Sequence, residues 1–224
     1  MIGSLLRSAP PVGWYSAGSL GWNNVRTETI TKVGTPFGDQ PGGNAHFRNG
    51  FAAVGSAGWG LPQGLRFEGE AAYRRNSLYQ ATAGSLHDAQ AEGSEKKSSL
   101  FVNALYECDR PNLPVSFYIG AGIGYNWIKW KDAVILDATE TVRFNETKVK
   151  LGYQGIAGVA FLTNWLPGVS FTAEYRIRGL DGARTYHGQV LRSRFGAFPT
   201  SVTVSNSVDQ TFLIGIRFQV PNPR

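Results

Sequence analysis

The stretch Val169-Ser170-Phe171-Thr172-Ala173-Glu174-Tyr175-Arg176-Ile177-Arg178 decides the fold. Val169, Phe171, Ala173, Tyr175 and Ile177 alternate with Ser170, Thr172, Glu174, Arg176 and Arg178, so an extended strand here has one apolar face and one face that carries every charge. The pattern recurs on both sides. In 65–74, Phe67, Gly69, Ala71 and Tyr73 oppose Arg66, Glu68, Glu70 and Arg74. In 115–127, Phe117, Ile119, Ala121, Ile123, Tyr125 and Trp127 oppose Ser116, Tyr118, Gly120, Gly122, Gly124 and Asn126. Near the end, Phe212, Ile214, Ile216, Phe218 and Val220 share a face opposite Thr211, Leu213, Gly215, Arg217 and Gln219.

Eight such segments can be read, at 14–24, 51–59, 65–74, 98–107, 115–127, 150–161, 169–178 and 207–220. Short links at 60–64, 109–114 and 162–168 alternate with long polar links at 25–50, 76–97, 128–149 and 179–206. Short periplasmic turns at one end and long outward loops at the other are the signature of a transmembrane β-barrel. The expected fold is therefore all-β, an eight-stranded antiparallel up-and-down transmembrane β-barrel over 13–220. Residues 1–12 are read as an N-terminal periplasmic tail, and 221–224 as a C-terminal tail or the start of a linker. Closing the ring through the first and last strands leaves no edge, which is how a sheet satisfies its backbone groups in hydrocarbon.

Composition agrees with one domain of this kind. No apolar run approaches the roughly 20 residues of a membrane-spanning helix, whereas a β-strand crosses with about 9–11 residues and needs apolar side chains only at alternate places. A mean hydropathy of -0.19 is thus no objection. The excess of 22 Lys and Arg over 16 Asp and Glu is diffuse, with Arg74-Arg75 and Lys96-Lys97 the only basic doublets, so no nucleic acid is expected as a partner. The lone Cys108 cannot form an internal disulfide. The opening residues lack the basic and apolar regions of a secretory leader; an outer-membrane location implies export, so the leader is expected to be absent from this chain.

A soluble lipocalin-like carrier would show the same periodicity with the faces exchanged. Side-chain size argues for the membrane version: Arg74, Arg176 and Arg178 need room in a narrow lumen, and Gly120, Gly122, Gly124, Gly152 and Gly158 are expected to leave it. Trp14, Trp59, Tyr73, Tyr106, Phe161, Trp165 and Tyr175 fall near strand ends, where amphipathic rings meet a bilayer interface.

Several of these strands carry a resemblance. Gly13-Trp14-Tyr15-Ser16-Ala17-Gly18, Gly50-Phe51-Ala52-Ala53-Val54-Gly55 and Tyr118-Ile119-Gly120-Ala121-Gly122-Ile123-Gly124-Tyr125 resemble strands of the OmpA-like outer-membrane β-barrel superfamily. The closing Phe212-Leu213-Ile214-Gly215-Ile216-Arg217-Phe218-Gln219-Val220 is similar to its terminal strand. In flavour the chain resembles the small surface-antigen porins of alphaproteobacteria. The resemblance implies the outer membrane of a Gram-negative bacterium, and a last strand read by the barrel-assembly machinery through Gly215, Phe218 and Val220. Leu213 departs from the polar residue usual there, and with only Pro221-Asn222-Pro223-Arg224 after the barrel, peptidoglycan binding is not carried over.

No catalytic, metal or cofactor site is expected. His46, His87 and His187 lie in the long links without a serine and carboxylate in nucleophilic arrangement, and they have no metal-ligand spacing. Gly120-Ala121-Gly122-Ile123-Gly124 lacks both the spacing and the following helix of a dinucleotide loop. The constellation that stands out is inward parity shared by Glu68, Glu70, Arg74, Asn103, Glu107, Glu174, Arg176, Arg178 and Arg217, charges that must be paired or hydrogen-bonded. They either plug the lumen or line a selective pore. An eight-stranded ring is only wide enough for side chains to fill, so the plug is the expected reading and a small porin the alternative.

Among the long links, Arg184, His187, Arg192 and Arg194 make the fourth basic, suited to lipopolysaccharide phosphates, while Asp88, Glu92 and Glu95 make the second more acidic. Ala133-Val134-Ile135-Leu136 reads as a strand extension above the membrane or a contact with an envelope protein. The expected function is a structural and surface barrel that contributes to envelope integrity and displays loops.

Overall fold

The computed structural model describes residues 11–83, 86–108, 114–136, 140–163, 166–205 and 207–220. The expected tails, except for 11 and 12, lie outside the described residues, as do Trp165 and the side chains of His87 and Asp88.

Among the described residues, twelve strands form one antiparallel sheet. In chain order they are β1 (Gly13–Val25), β2 (Glu28–Thr35), β3 (Gly38–Phe47), β4 (Gly50–Gly60), β5 (Leu65–Ala83), β6 (Leu86–Cys108), β7 (Val115–Leu136), β8 (Thr141–Leu162), β9 (Val169–Leu180), β10 (Arg184–Arg192), β11 (Phe198–Val204) and β12 (Val208–Gln219). β1 pairs with β12, and the ladder continues through β9, β8, β7, β6, β5 and β4 back to β1, so the sheet closes on itself. A second circuit stands on the first and shares its four long strands. There β5 pairs with β3, β3 with β2, β2 with β11, β11 with β10 and β10 with β8.

The count of twelve differs from the eight read in the sequence. All four long links contain strand. Residues 25–50 and 179–206 fold into the hairpins β2–β3 and β10–β11, and 76–97 and 128–149 lengthen β5 to β8. They read as loops because Lys, Thr, Asn and Gly dilute the apolar residues, although β-branched alternation is present in Thr29-Ile30-Thr31-Lys32-Val33 and in Thr200-Ser201-Val202-Thr203-Val204. At the opposite end the links are tight. Gly64, with φ +88°, closes the β4–β5 turn by donating its N–H to the Leu61 carbonyl at 3.0 Å.

The two circuits have opposite polarity, and β7 records the change within one strand. Along its first part Phe117, Ile119, Ile123, Tyr125 and Trp127 point out, and Ser116, Tyr118 and Asn126 point in. One step further Lys129 and Lys131 point out while Ile128 and Trp130 are buried inside, followed by Ala133 and Ile135. The first circuit thus has an apolar exterior, with Trp14, Trp59, Tyr73, Tyr106 and Phe161 among its exposed rings and Tyr175 half-buried. Trp14 and Trp59 meet edge to face at 5.2 Å near the tight-turn end. The second circuit encloses an apolar core of Ile30, Leu78, Trp130, Ile135, Phe144, Tyr186, Val190 and Val202, with other residues beside them. A soluble carrier needs the apolar face inside throughout; around the first circuit it is outside, which overturns that alternative.

Candidate functional site

The interior of the first circuit, and its junction with the second, hold the polar side chains. Among the described residues, Arg66, Arg74, Lys97, Arg176, Arg178, Arg184 and Arg217 face Glu28, Glu68, Glu70, Glu95, Glu107, Glu174 and Asp209, seven ionisable groups of each kind. Strand pleating alone explains why they share an interior: in β5, Arg66, Glu68, Glu70 and Arg74 differ by even steps, so each side chain leaves the backbone on the same side.

The contacts form levels. Nearest the tight turns, Arg217 makes a two-pronged bond to Glu107, at 2.8 Å from Nη1 to Oε2 and 3.0 Å from Nη2 to Oε1. Ser116 donates to the same carboxylate at 2.5 Å, and Arg66 Nη1 lies 3.3 Å from it. The Arg66 guanidinium also covers the rings of Tyr15 and Tyr118, at 5.2 and 4.8 Å from their centroids.

At mid-height Glu70 is the hub. It accepts from Arg176, from Arg178 Nη2 at 2.5 Å, from Asn103 Nδ2 at 2.8 Å and from Gln154 Nε2 at 3.1 Å. Glu68 accepts from Tyr15 Oη at 2.9 Å and from Asn103 at 3.0 Å, while Glu174 accepts from Arg176 Nε at 2.8 Å and Tyr118 Oη at 2.7 Å. Each carboxylate therefore has several donors, which offsets the desolvation of its charge.

Toward the second circuit, Arg74 Nη1 donates to Asp209 at 3.0 Å and Lys97 Nζ to the same carboxylate at 2.9 Å. Lys97 also pairs with Glu95 at 2.5 Å and Glu28 at 3.6 Å, and Arg184 Nη2 donates to Glu28 at 2.7 Å. Burial, followed by the nearby Glu28 carboxylate, pushes the Glu95 carboxyl above its ordinary range. Trp130 Nε1 donates to Glu95 at 3.0 Å and its ring stacks on Tyr186, centroids 4.7 Å apart. Trp130 is thus the boundary between the charged column and the apolar core above it.

These pairs reach across the barrel. Four steps round the ladder separate β5 from β9 and β6 from β12, so Glu70 to Arg176 and Arg178, and Glu107 to Arg217, join opposite walls.

The structure brings together all of Glu68, Glu70, Arg74, Asn103, Glu107, Glu174, Arg176, Arg178 and Arg217. Sequence reasoning left out Arg66, Lys97, Gln154 and Asp209, whose parity matches their neighbours', and Tyr15 and Tyr118, whose hydroxyls bind carboxylates. It also took Glu28, Glu95 and Arg184 for loop residues; all three are buried ion-pair partners, because the links that carry them are strands. The glycines leave room for different side chains than expected. A Cβ on Gly120, Gly122, Gly124, Gly152 or Gly158 would meet Leu105, Asn103, Phe101, Asn126 or Tyr118 in turn, not an arginine. In the extension, Ala133 and Ile135 turn inward while Leu136 is exposed. His187 Nδ1 lies 3.4 Å from Glu146, and His46 Nδ1 3.2 Å from the Thr27 hydroxyl.

A closed antiparallel sheet with an apolar outer band and a charged interior defines an outer-membrane β-barrel. The family described as surface antigen matches residues 39–207, and the chain belongs to that family. An outer membrane protein of Gluconacetobacter diazotrophicus is 29% identical over 180 residues, 75% of this chain and 46% of the relative. The chain thus spans about half the length of that relative. Solved structures share the fold. OprG from Pseudomonas aeruginosa aligns with a TM-score of 0.64 at 13% identity, over 95% of this chain and 99% of that one. Neisserial surface protein A gives 0.52 at 20%, over 93% and 97%, and the outer membrane protease OmpT from Escherichia coli 0.55 at 8%, over 97% and 99%.

Proposed function

We propose that this protein is a structural and surface-displayed barrel of the outer membrane, contributing to envelope integrity, in which the eight-strand circuit crosses the bilayer and its lumen is plugged. The observation that carries this reading is the set of ion pairs running from wall to opposite wall, with Glu70 tied at once to Arg176 and Arg178. Opposite charges locked across a ring this narrow leave ions no continuous water path, and the apolar core above adds a second obstruction. The porin alternative requires those pairs to part.

The tight turns face the periplasm in this reading and the second circuit stands outside the cell, consistent with the Lys129 and Lys131 pair on its outer wall. Exposed basic residues of that circuit, Arg143, Arg192 and Arg194, suit the phosphates of lipopolysaccharide, its hairpins suit envelope protein partners, and the outward Phe218 and Val220 with Gly215 suit the assembly machinery. No catalysis is assigned. The test is planar-bilayer conductance of the folded protein. Silence is expected; a stable open channel in the unmodified chain would reject the plugged lumen in favour of the porin.

A further inference from the structure

The second circuit contains a chamber that a plugged structural barrel does not use. Its volume is about 370 Å³, within the range of about 300–1,000 Å³ typical of small-molecule sites. Val33, Ile135, Val142, Phe144, Val190 and Val202 give it an apolar wall. Its floor is closed: Phe144 packs on Trp130, centroids 6.0 Å apart, and the Trp130 N–H is spent on buried Glu95. A molecule entering from the hairpin end therefore meets a blind apolar pocket, not a passage.

The mouth has a matching chemistry. Phe37, in the turn of the β2–β3 hairpin, and Phe195, between β10 and β11, are 66% and 59% exposed although they stand above the apolar bilayer band. Phe37 meets Phe195 and Phe198 at 5.3 Å each, so the two hairpin tips join through an aromatic rim. Arg194 lines the chamber beside it, its guanidinium 4.6 Å from the Phe195 centroid, and among the described residues no carboxylate pairs with it. Glu140 lines the chamber too, and Arg192 lies in register with Thr141, the next residue, so this side of the rim also carries a cation. An apolar blind pocket, an aromatic rim and an arginine to which no described carboxylate is paired fit one kind of ligand. We propose that the chamber binds a single medium-chain aliphatic carboxylate, its chain among Val142, Phe144, Val190 and Val202 and its head group at Arg194.

The test uses the folded protein in lipid nanodiscs and decanoic acid carrying a diazirine at its far end, with adducts mapped by peptide mass spectrometry. Saturable labelling of Phe144, Val190 and their neighbours is expected, and unlabelled decanoate should displace it. Arg194→Gln should weaken decanoate about tenfold while leaving decanol unchanged, because only the carboxylate makes the charge-assisted bond. Glu140→Gln should tighten decanoate. Val190→Trp, which fills the chamber, should abolish labelling while the heat-dependent mobility of the folded barrel persists. If that variant fails to fold, Arg194→Gln still decides, since Arg194 is exposed. Adducts confined to bilayer-facing residues such as Ile119 and Phe212, or decanoate binding that ignores Arg194→Gln, would overturn the proposal.

Discussion

Strands β7 and β8 run through two environments without a break, and each swaps its faces on the way. Below Trp127 the outward side chains of β7 are apolar and the inward ones polar or absent; above it Lys129, Lys131 and Asp132 point out and Ile128, Trp130 and Ile135 point in. One continuous sheet, with register shifts in the β6–β7 and β7–β8 ladders at the changeover, is thus apolar outside in one half and polar outside in the other. What differs is the solvent outside. Hydrocarbon accepts apolar side chains and leaves the charges to each other, whereas water accepts the charges and drives the apolar side chains inward.

This contrast is broken hardest at Glu70. Glu70→Ala leaves Arg178 without a carboxylate inside the first circuit and Arg176 with Glu174 alone, and removing one partner of a buried pair costs about 3–5 kcal/mol. A fall in the urea midpoint of the heat-dependent mobility shift checks it, and new conductance in the same variant would mean that Glu70 also holds the lumen shut.

Next in size is a charge placed on the two outer faces. Ile123→Arg, outward in the bilayer band, should cost about 2–4 kcal/mol near mid-bilayer, measured by unfolding in lipid vesicles. Thr29→Arg, outward on the second circuit, should stay within about 0.5 kcal/mol. Equal penalties would mean that both circuits lie in the same solvent.

Ile135→Ala tests the apolar core instead, at a cost of about 2–3 kcal/mol. Its effect should remain in the second circuit. The near-ultraviolet signal of the stacked Trp130 and Tyr186 weakens and the hairpins become protease-sensitive, while the heat-dependent mobility shift survives.

The smallest effect is expected at the junction. The Glu95 carboxyl is pushed up by burial and by Glu28, so it favours the fold most when protonated, below the ordinary carboxylate value of about 4.3. That contribution is lost as pH rises toward and through the raised folded value. Glu95→Gln should therefore make the protein more resistant to urea than wild type at pH 8 and no different at pH 4. Lower resistance at pH 8 would assign Glu95 a net stabilising charge through Lys97.

The sequence by itself determined which side chains share a face. Period two in 65–74, 115–127, 169–178 and 207–220 separates Glu68, Glu70, Arg176, Arg178 and Arg217 from Phe67, Ile119, Phe171 and Phe218, because successive residues of a strand leave it on opposite sides whatever surrounds it. Tertiary structure decided what each face meets. Glu28, Glu95 and Arg184 look like loop charges until their strands close a second ring, and Gly122 looks like space for an arginine until Asn103 on the neighbouring strand occupies it. Glu70 finds its arginines on the far wall, 106 and 108 residues away in sequence. Closure of the sheet creates that proximity, and no local pattern in a strand records which strand will stand opposite.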